Sequence, residues 1–180
     1  MNIIQKSVEL AWKWHKNMTR KGDDSPYIIH PIMVATILAK NGFSEETIAA
    51  GYCHDLLEDT KCTEQEIKDV CGEKVLEIVK AVSNEDLKDW KEKKRRYIES
   101  VRKGPIEAKA VCCADKIHNL QSTFIAYPKY TPEAFWGKFN ASKEGKEWFE
   151  EKVLIMLKET WNHPLISEYE KLLLESKKLK

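Results

Sequence analysis

The segment YCHDLLEDT, residues 52–60, places a histidine and an aspartate, His54 and Asp55, inside an otherwise apolar helical run. Burying these polar groups needs compensation. A neutral imidazole beside a carboxylate is a common ligand pair for a divalent cation, so a bound metal would satisfy both groups. Glu58 and Asp59 follow one helical turn later, which brings two more carboxylates to the same region. They can serve the chemistry without binding the metal.

Apolar residues recur at helical spacing in the flanking sequence, as in Ile4, Val8 and Ala11, and sustained alternation of β-branched residues is hard to find. The pattern predicts an all-α fold. We expect one compact helical domain over residues 1–180, with a core of about 3–160 and a C-terminal helix at 164–176. The predicted helices lie near 2–17, 31–41, 45–58, 64–82, 88–103, 106–126, 132–140, 144–161 and 164–176.

Residues that start or stop helices support this division. Pro31 and Pro132 occupy positions typical of a first helical turn, and Thr63 with Glu66 forms the pattern of a capping box. Gly72 follows an apolar-periodic run and is predicted to be a C-terminal stop.

Overall charge and cysteine usage exclude several classes of function. Thirty basic and 29 acidic residues leave a net charge of +1, so no overall field attracts nucleic acid or an acidic membrane. Five cysteines without a C-x-x-C pair indicate neither a disulfide framework nor a thiolate zinc site. Charged residues interrupt every apolar stretch near the N-terminus, which argues against a signal peptide or a membrane span. We expect a cytoplasmic protein.

Three further polar segments stand out. In PYIIHP, Pro31 is predicted to force His30 out of the α region and to preset the next helix, which would put His30 at a rigid corner. In CADKIHNLQS, residues 113–122, three polar residues at i, i+4 and i+7 share one helix face: Asp115, Asn119 and Ser122.

The third segment is a cationic pair, Arg20 and Lys21, suited to holding phosphate oxygens or stacking on a base. Each segment also has an ordinary structural interpretation. The pair could be a solvated face, Asp115 could cap a helix or pair with Lys116, and the His-Asp pair could be an ordinary hydrogen-bonded pair. We expect His118 to lie beside the cluster without binding a metal.

The order in which these segments follow one another along the chain favours the functional interpretation over the ordinary structural one. The chain resembles the HD-domain phosphohydrolases, and within them the (p)ppGpp 3′-pyrophosphohydrolase domain of the RelA/SpoT group, especially its stand-alone, Mesh1-like small alarmone hydrolases. The resemblance runs from about residue 11 to about residue 157. It is carried by AWKWHKNMTRK, SPYIIHP, HDLLEDT, CGEKVLEIVKAVS and ADKIHNL.

The resemblance implies a binding site for one divalent ion, usually manganese. The ligands it implies are His30, His54, Asp55 and Asp115. Glu58 and Asp59 would assist activation of a water molecule and proton transfer.

By the same resemblance, the nucleotide would meet two groups of side chains. Arg20 and Lys21 would contact it directly, while Asn119 and Ser122 would line the ribose and base side of the pocket. The implied reaction is hydrolysis of guanosine 3′,5′-bis(diphosphate), or its pentaphosphate form, to GDP or GTP and pyrophosphate. From the length of the chain we expect no synthesis activity. The implied partner is a small-molecule nucleotide, and the oligomeric state stays open.

The substrate-binding edge departs from the family pattern. Asn17 and Met18 replace the usual Gly-Gln, and an extra acidic residue lengthens the turn at Asp23 and Asp24. Two other functions therefore remain open: an HD-type phosphohydrolase of another nucleotide or phosphate ester, and a nucleotide sensor without catalysis. The Glu-Asp pair argues against the sensor, because a protein that only binds has no evident need for it.

Overall fold

The computed structural model describes residues 2–22 and 24–180, so Asp23 of the acidic turn lies outside the described residues. Eleven α-helices are found in this part of the chain, together with a short 3₁₀ turn at Tyr127–Lys129. The helices are α1 (Ile3–His15), α2 (Ile29–Lys40), α3 (Glu45–Cys53), α4 (Leu56–Asp59), α5 (Glu64–Cys71), α6 (Glu73–Ala81), α7 (Trp90–Lys103), α8 (Ile106–Ala126), α9 (Pro132–Trp136), α10 (Lys143–Thr160) and α11 (Leu165–Ser176).

The all-α prediction is confirmed, although two predicted helices are interrupted. The predicted helix at 64–82 breaks at Gly72, whose φ of 91° lies in a region that glycine tolerates and a helix excludes. Gly72 is therefore the stop that the sequence predicts, and the continuous helix is wrong. The predicted helix at 45–58 ends at Cys53 and resumes at Leu56. His54 and Asp55 occupy the break.

The predicted conformation of His30 is wrong. Helix α2 begins at Ile29, and the His30 N–H donates to the Tyr27 carbonyl at 2.9 Å, so His30 lies in the first helical turn. The residue before a proline only prefers an extended conformation, and Pro31 needs no N–H of its own in a first turn.

The predicted helix starts at residues 63 and 132 are present. Helix α9 begins at Pro132, although it ends at Trp136 and not near residue 140. The Thr63 hydroxyl accepts from the Glu66 N–H at 3.2 Å, while the Glu66 carboxylate accepts from Lys13 of α1 at 2.7 Å. Thr63 therefore caps α5, and Glu66 ties α5 to α1.

Helix α8 is the centre of the packing and contacts α2, α3, α6, α7, α10 and α11. Its buried residues include Val111, Ala114 and Ile117, and α11 adds Tyr169 and Leu173 to the same hydrophobic core. No helix within the described ranges is long and apolar enough to cross a membrane. All five cysteines are buried and have free thiols.

Close packing of α2 on α3 brings two predicted ligands together. A Cβ at Gly51 of α3 would lie 2.8 Å from Leu38 Cδ1 and 3.2 Å from Ala35 Cα, both on α2. Glycine permits this approach without displacing either neighbour. It places His54, just after α3, beside His30 at the start of α2.

Candidate metal centre and active site

Four elements deliver the predicted metal ligands to one place. His30 comes from the first turn of α2, and Asp115 from the middle of α8. His54 is the C-cap of α3, and Asp55 is the N-cap of α4. Both residues keep backbone angles of the αR region across the interruption, and both side chains reach the same group of ligand atoms.

Nitrogen and oxygen atoms from these side chains converge. His30 Nε2 lies 3.1 Å from His54 Nε2 and 3.1 Å from Asp115 Oδ1, while His54 Nε2 lies 3.8 Å from the same oxygen. Asp55 Oδ2 lies 3.4 Å from His30 Nε2 and 3.2 Å from His54 Nε2. Both imidazoles are almost fully buried.

This donor set fits a divalent metal ion. His30, His54 and Asp115 form a group whose ligand atoms could hold one, and Asp55 lies against it. Ligands about 2.1 Å from a metal stand about 3.0 to 3.5 Å apart in octahedral or tetrahedral geometry. The observed spacings lie near that range. Imidazole nitrogens and carboxylate oxygens are also the donors that suit first-row divalent metals.

The electrostatics of the cluster favour a cation. Burial opposes a positive charge on His54, but the carboxylates of Asp55 and Asp115 outweigh it and hold its pKa well above the usual value. Burial also opposes a charge on Asp115, yet Lys116 and the two histidines hold the Asp115 pKa well below its usual range. Two ionised carboxylates therefore face the buried imidazoles.

The pairing of Asp115 with Lys116 coexists with its place in the cluster. Lys116 Nζ lies 3.0 Å from Asp115 Oδ2, whereas Asp115 Oδ1 faces the histidines. Asp115 can therefore pair with Lys116 through Oδ2 and face the histidines through Oδ1 at the same time. His118, which we expected beside the cluster, contacts His30: the two Nδ1 atoms are 2.7 Å apart.

The side chains of Glu58 and Asp59, both on α4, contact different partners. Glu58 accepts from the Asn84 backbone N–H at 2.8 Å and from the Asn84 side-chain amide. Asp59 Oδ2 lies 2.5 Å from the Tyr27 hydroxyl, which is also 2.7 Å from Asp55 Oδ2. Desolvation and the nearby Asp55 charge raise the pKa of both Glu58 and Asp59. The raised pKa of each carboxylate suits it to proton transfer.

A cavity of about 450 Å³ opens beside the cluster. All four predicted substrate residues line it: Arg20, Lys21, Asn119 and Ser122. Arg20 Nη2 donates to Asn119 Oδ1 at 2.8 Å, and Asn119 Nδ2 donates to Asp115 Oδ1 at 2.6 Å. Hydrogen bonds thus connect the cavity wall to the candidate metal ligands.

Cations and aromatic rings also line the cavity. They include Lys94, Lys116, Lys143, Lys146, Trp136 and Phe139. Burial lowers the pKa of Lys94 and of Lys146 to about 8, and the charge of Lys116 adds to both effects. Crowded, partly desolvated ammonium groups favour an anionic ligand. Arg95 and Arg96, which follow Lys94 on α7, pair with Glu92 and contribute to a solvated face.

Sequence reasoning missed two residues of this site. Tyr27 lies inside the PYIIHP segment, three residues before His30, and its position in that segment was an available signal. Asn84 lies 26 residues beyond Glu58, and no local spacing connects the two. Packing of the chain after α6 brings Asn84 to the carboxylate.

Comparison with known proteins gives a matching family and several similar proteins. The model of the HD domain matches residues 7–134. The zebrafish (Danio rerio) guanosine-3′,5′-bis(diphosphate) 3′-pyrophosphohydrolase MESH1 is 32% identical over 151 residues, which cover 82% of this chain and 79% of that protein. The bifunctional (p)ppGpp synthase/hydrolase SpoT of Escherichia coli K12 is 35% identical over 114 residues. That match covers 60% of this chain but spans only 16% of the length of SpoT.

Solved structures show the same fold. A metazoan orthologue of SpoT, described as hydrolysing ppGpp and playing a role in starvation responses, superimposes with a TM-score of 0.82 at 25% identity. The match covers 100% of this chain and 98% of that one. A protein from Listeria monocytogenes EGD-e gives a TM-score of 0.74 at 32% identity, over 85% of this chain and 98% of that one.

Proposed function

This chain belongs to the HD-domain family, and from that premise we propose that it hydrolyses guanosine 3′,5′-bis(diphosphate), or its pentaphosphate form, to GDP or GTP and pyrophosphate. One observation carries the proposal: the buried group of two imidazoles and two carboxylates lies beside a cavity whose lining includes Lys94, Lys116, Lys143 and Lys146. The cluster suits a metal, and the wall suits a polyphosphate.

We propose manganese as the ion, held by His30, His54, Asp55 and Asp115. A divalent ion there supplies Lewis-acid chemistry at the phosphoryl group and at the attacking water. Mixed nitrogen and oxygen ligands support a first-row metal over calcium or magnesium, which prefer oxygen alone.

The residues around the cluster divide the remaining work of hydrolysis. Glu58, held by Asn84, accepts a proton from the water that attacks the phosphorus next to the ribose 3′ oxygen. The bond between that phosphorus and the 3′ oxygen breaks, pyrophosphate leaves, and the 3′ oxygen takes up a proton. Asp59 and the Tyr27 hydroxyl are close enough to Asp55 to hold or relay that proton.

The cavity residues bind the substrate in this proposal. Arg20, oriented by Asn119, and Lys21 contact the nucleotide, while Ser122 faces the ribose and base side. Lys94 and Lys116, which also line the cavity, neutralise phosphate charge. Five free, buried thiols support a reducing compartment, and we propose a cytoplasmic location.

The test is to incubate manganese-loaded protein with guanosine 3′,5′-bis(diphosphate) and a panel of ordinary nucleotides, and to separate the products by anion exchange. We expect GDP and pyrophosphate from the alarmone alone. Turnover of other panel members only would indicate an HD-type phosphohydrolase with another substrate, and binding without turnover would indicate a sensor. Asp55→Ala provides the control, because it removes a proposed ligand and should abolish both metal content and turnover.

A further inference from the structure

We propose that His118 is a positioning residue that holds the His30 imidazole with its Nε2 lone pair turned toward the proposed metal site. The inference rests on the proposed metal site and concerns a residue outside the proposed ligand set. His118 lies on α8, three residues after Asp115. One turn of α8 would thus supply one ligand and orient a second ligand that belongs to α2.

The contact between the two rings defines the tautomer of His30. Their Nδ1 atoms are 2.7 Å apart, and both side chains are buried. At this distance one nitrogen donates and the other accepts, because two lone pairs or two N–H groups would repel. A neutral His30 that binds a cation through Nε2 must carry its proton on Nδ1. His30 is therefore the donor, and His118 Nδ1 is the acceptor.

The remaining nitrogen of His118 faces a hydroxyl group. His118 Nε2 lies 3.4 Å from Ser122 Oγ, one turn further along α8. With its Nδ1 accepting, a neutral His118 carries its proton on Nε2 and directs it at Ser122. A chain of polar contacts therefore runs from the proposed metal site through His30 and His118 to the wall of the substrate cavity.

The second proposed histidine ligand is oriented in a different way. His54 Nδ1 lies 2.8 Å from the backbone carbonyl of Gly51, which can only accept. No side-chain substitution removes that acceptor. The orientation of His30 depends instead on a side chain, so it is the one of the two that substitution can release. Outer partners of this kind typically change metal affinity about 10- to 100-fold when lost.

Matched variants at position 118 separate hydrogen bonding from space filling. His118→Asn places an amide oxygen near the position of Nδ1 and keeps an acceptor. His118→Leu and His118→Phe fill the space without one. Manganese affinity of the metal-free proteins is measured by competition with a fluorescent chelator, and a urea midpoint for each metal-free protein controls for folding.

We expect Leu and Phe to raise the dissociation constant for manganese about 10- to 100-fold, and Asn to stay within about threefold of the wild type. Turnover by the Leu and Phe variants should recover as manganese is raised. Equal weakening by all three variants, or no weakening by a folded Leu or Phe variant, would overturn the inference and leave His118 a packing residue. Failure of the wild-type protein to bind any divalent metal would instead refute the proposed metal site itself.

Discussion

Removing the Tyr27 hydroxyl should weaken catalysis while leaving metal bound. That hydroxyl lies 2.7 Å from Asp55 Oδ2 and 2.5 Å from Asp59 Oδ2, and it has one proton to donate. It therefore bridges a proposed metal ligand and a proposed proton-transfer group. In Tyr27→Phe the ring still stacks on His15, 4.7 Å away, so the fold around it is retained.

The size of the effect follows from the hydrogen bond that is lost. A hydrogen bond to a charged group contributes about 1.5–3 kcal/mol. We count one such bond, because a single proton cannot serve both carboxylates at once. If the bond acts fully in the transition state, kcat/KM falls roughly 10- to 150-fold, since about 1.4 kcal/mol corresponds to a factor of ten.

Tyr169→Phe is the matched control. The Tyr169 hydroxyl also lies 2.5 Å from a carboxylate, that of Glu150; Glu150 lines the cavity, whereas Tyr169 packs in the hydrophobic core. Both variants should lose stability, but only Tyr27→Phe should lose turnover. The assay measures pyrophosphate release at saturating manganese, with bound metal counted by mass spectrometry. A Tyr27→Phe enzyme within twofold of wild-type kcat/KM, or an equal loss in Tyr169→Phe, would refute this reasoning.

Three further outcomes are expected. Glu58→Gln keeps an acceptor for Asn84 but loses the basic carboxylate, so kcat should fall about 10²- to 10⁴-fold with metal content unchanged; full activity would contradict the proposed base. Gly51→Ala should lower stability by about 1–3 kcal/mol and the melting temperature by roughly 2–12 °C, because the added Cβ would lie 3.2 Å from the backbone Cα of Ala35, which can move less than the Leu38 side chain; calorimetry would show this. Burial lowers the pKa of His15 from 6.5 to about 4, so between pH 6.5 and pH 4 the unfolded chain binds more protons than the folded one. The urea midpoint should therefore fall as the pH drops from 6.5 to 4, and it should fall less in His15→Phe.

Local spacing was enough to predict much of the site. Asp115, Asn119 and Ser122 share a helix face by their spacing alone; in the structure Asn119 and Ser122 line the cavity, and Asp115 lies in the histidine cluster. The all-α class follows from the same periodicity. Gly72 stops a helix because its backbone conformation is available to glycine, so the stop could also be predicted from residue type.

Local predictions failed for the His30 conformation and for a continuous helix at 64–82, and contacts between distant segments were missing from the prediction. The preference of a residue before proline suggested a corner at His30, but the start of α2 accommodates both residues in its first turn. Neither His54 nor Asp55 is a glycine or a proline, so residue type does not predict the interruption of the helix there. Tyr27 and Asn84 reach their carboxylates across 28 and 26 residues of sequence, respectively.

The sequence by itself determined the chemical groups: the histidines, the carboxylates and their order along the chain, together with the helices that carry them. These features depend on residue type and on spacings of a few residues, which a helix converts directly into faces. Tertiary structure decided how the groups meet. The approach of α2 and α3 at Gly51, the contact of His118 with His30 and the bridge through Tyr27 depend on packing between segments far apart in sequence, and local spacing carries no information about that packing.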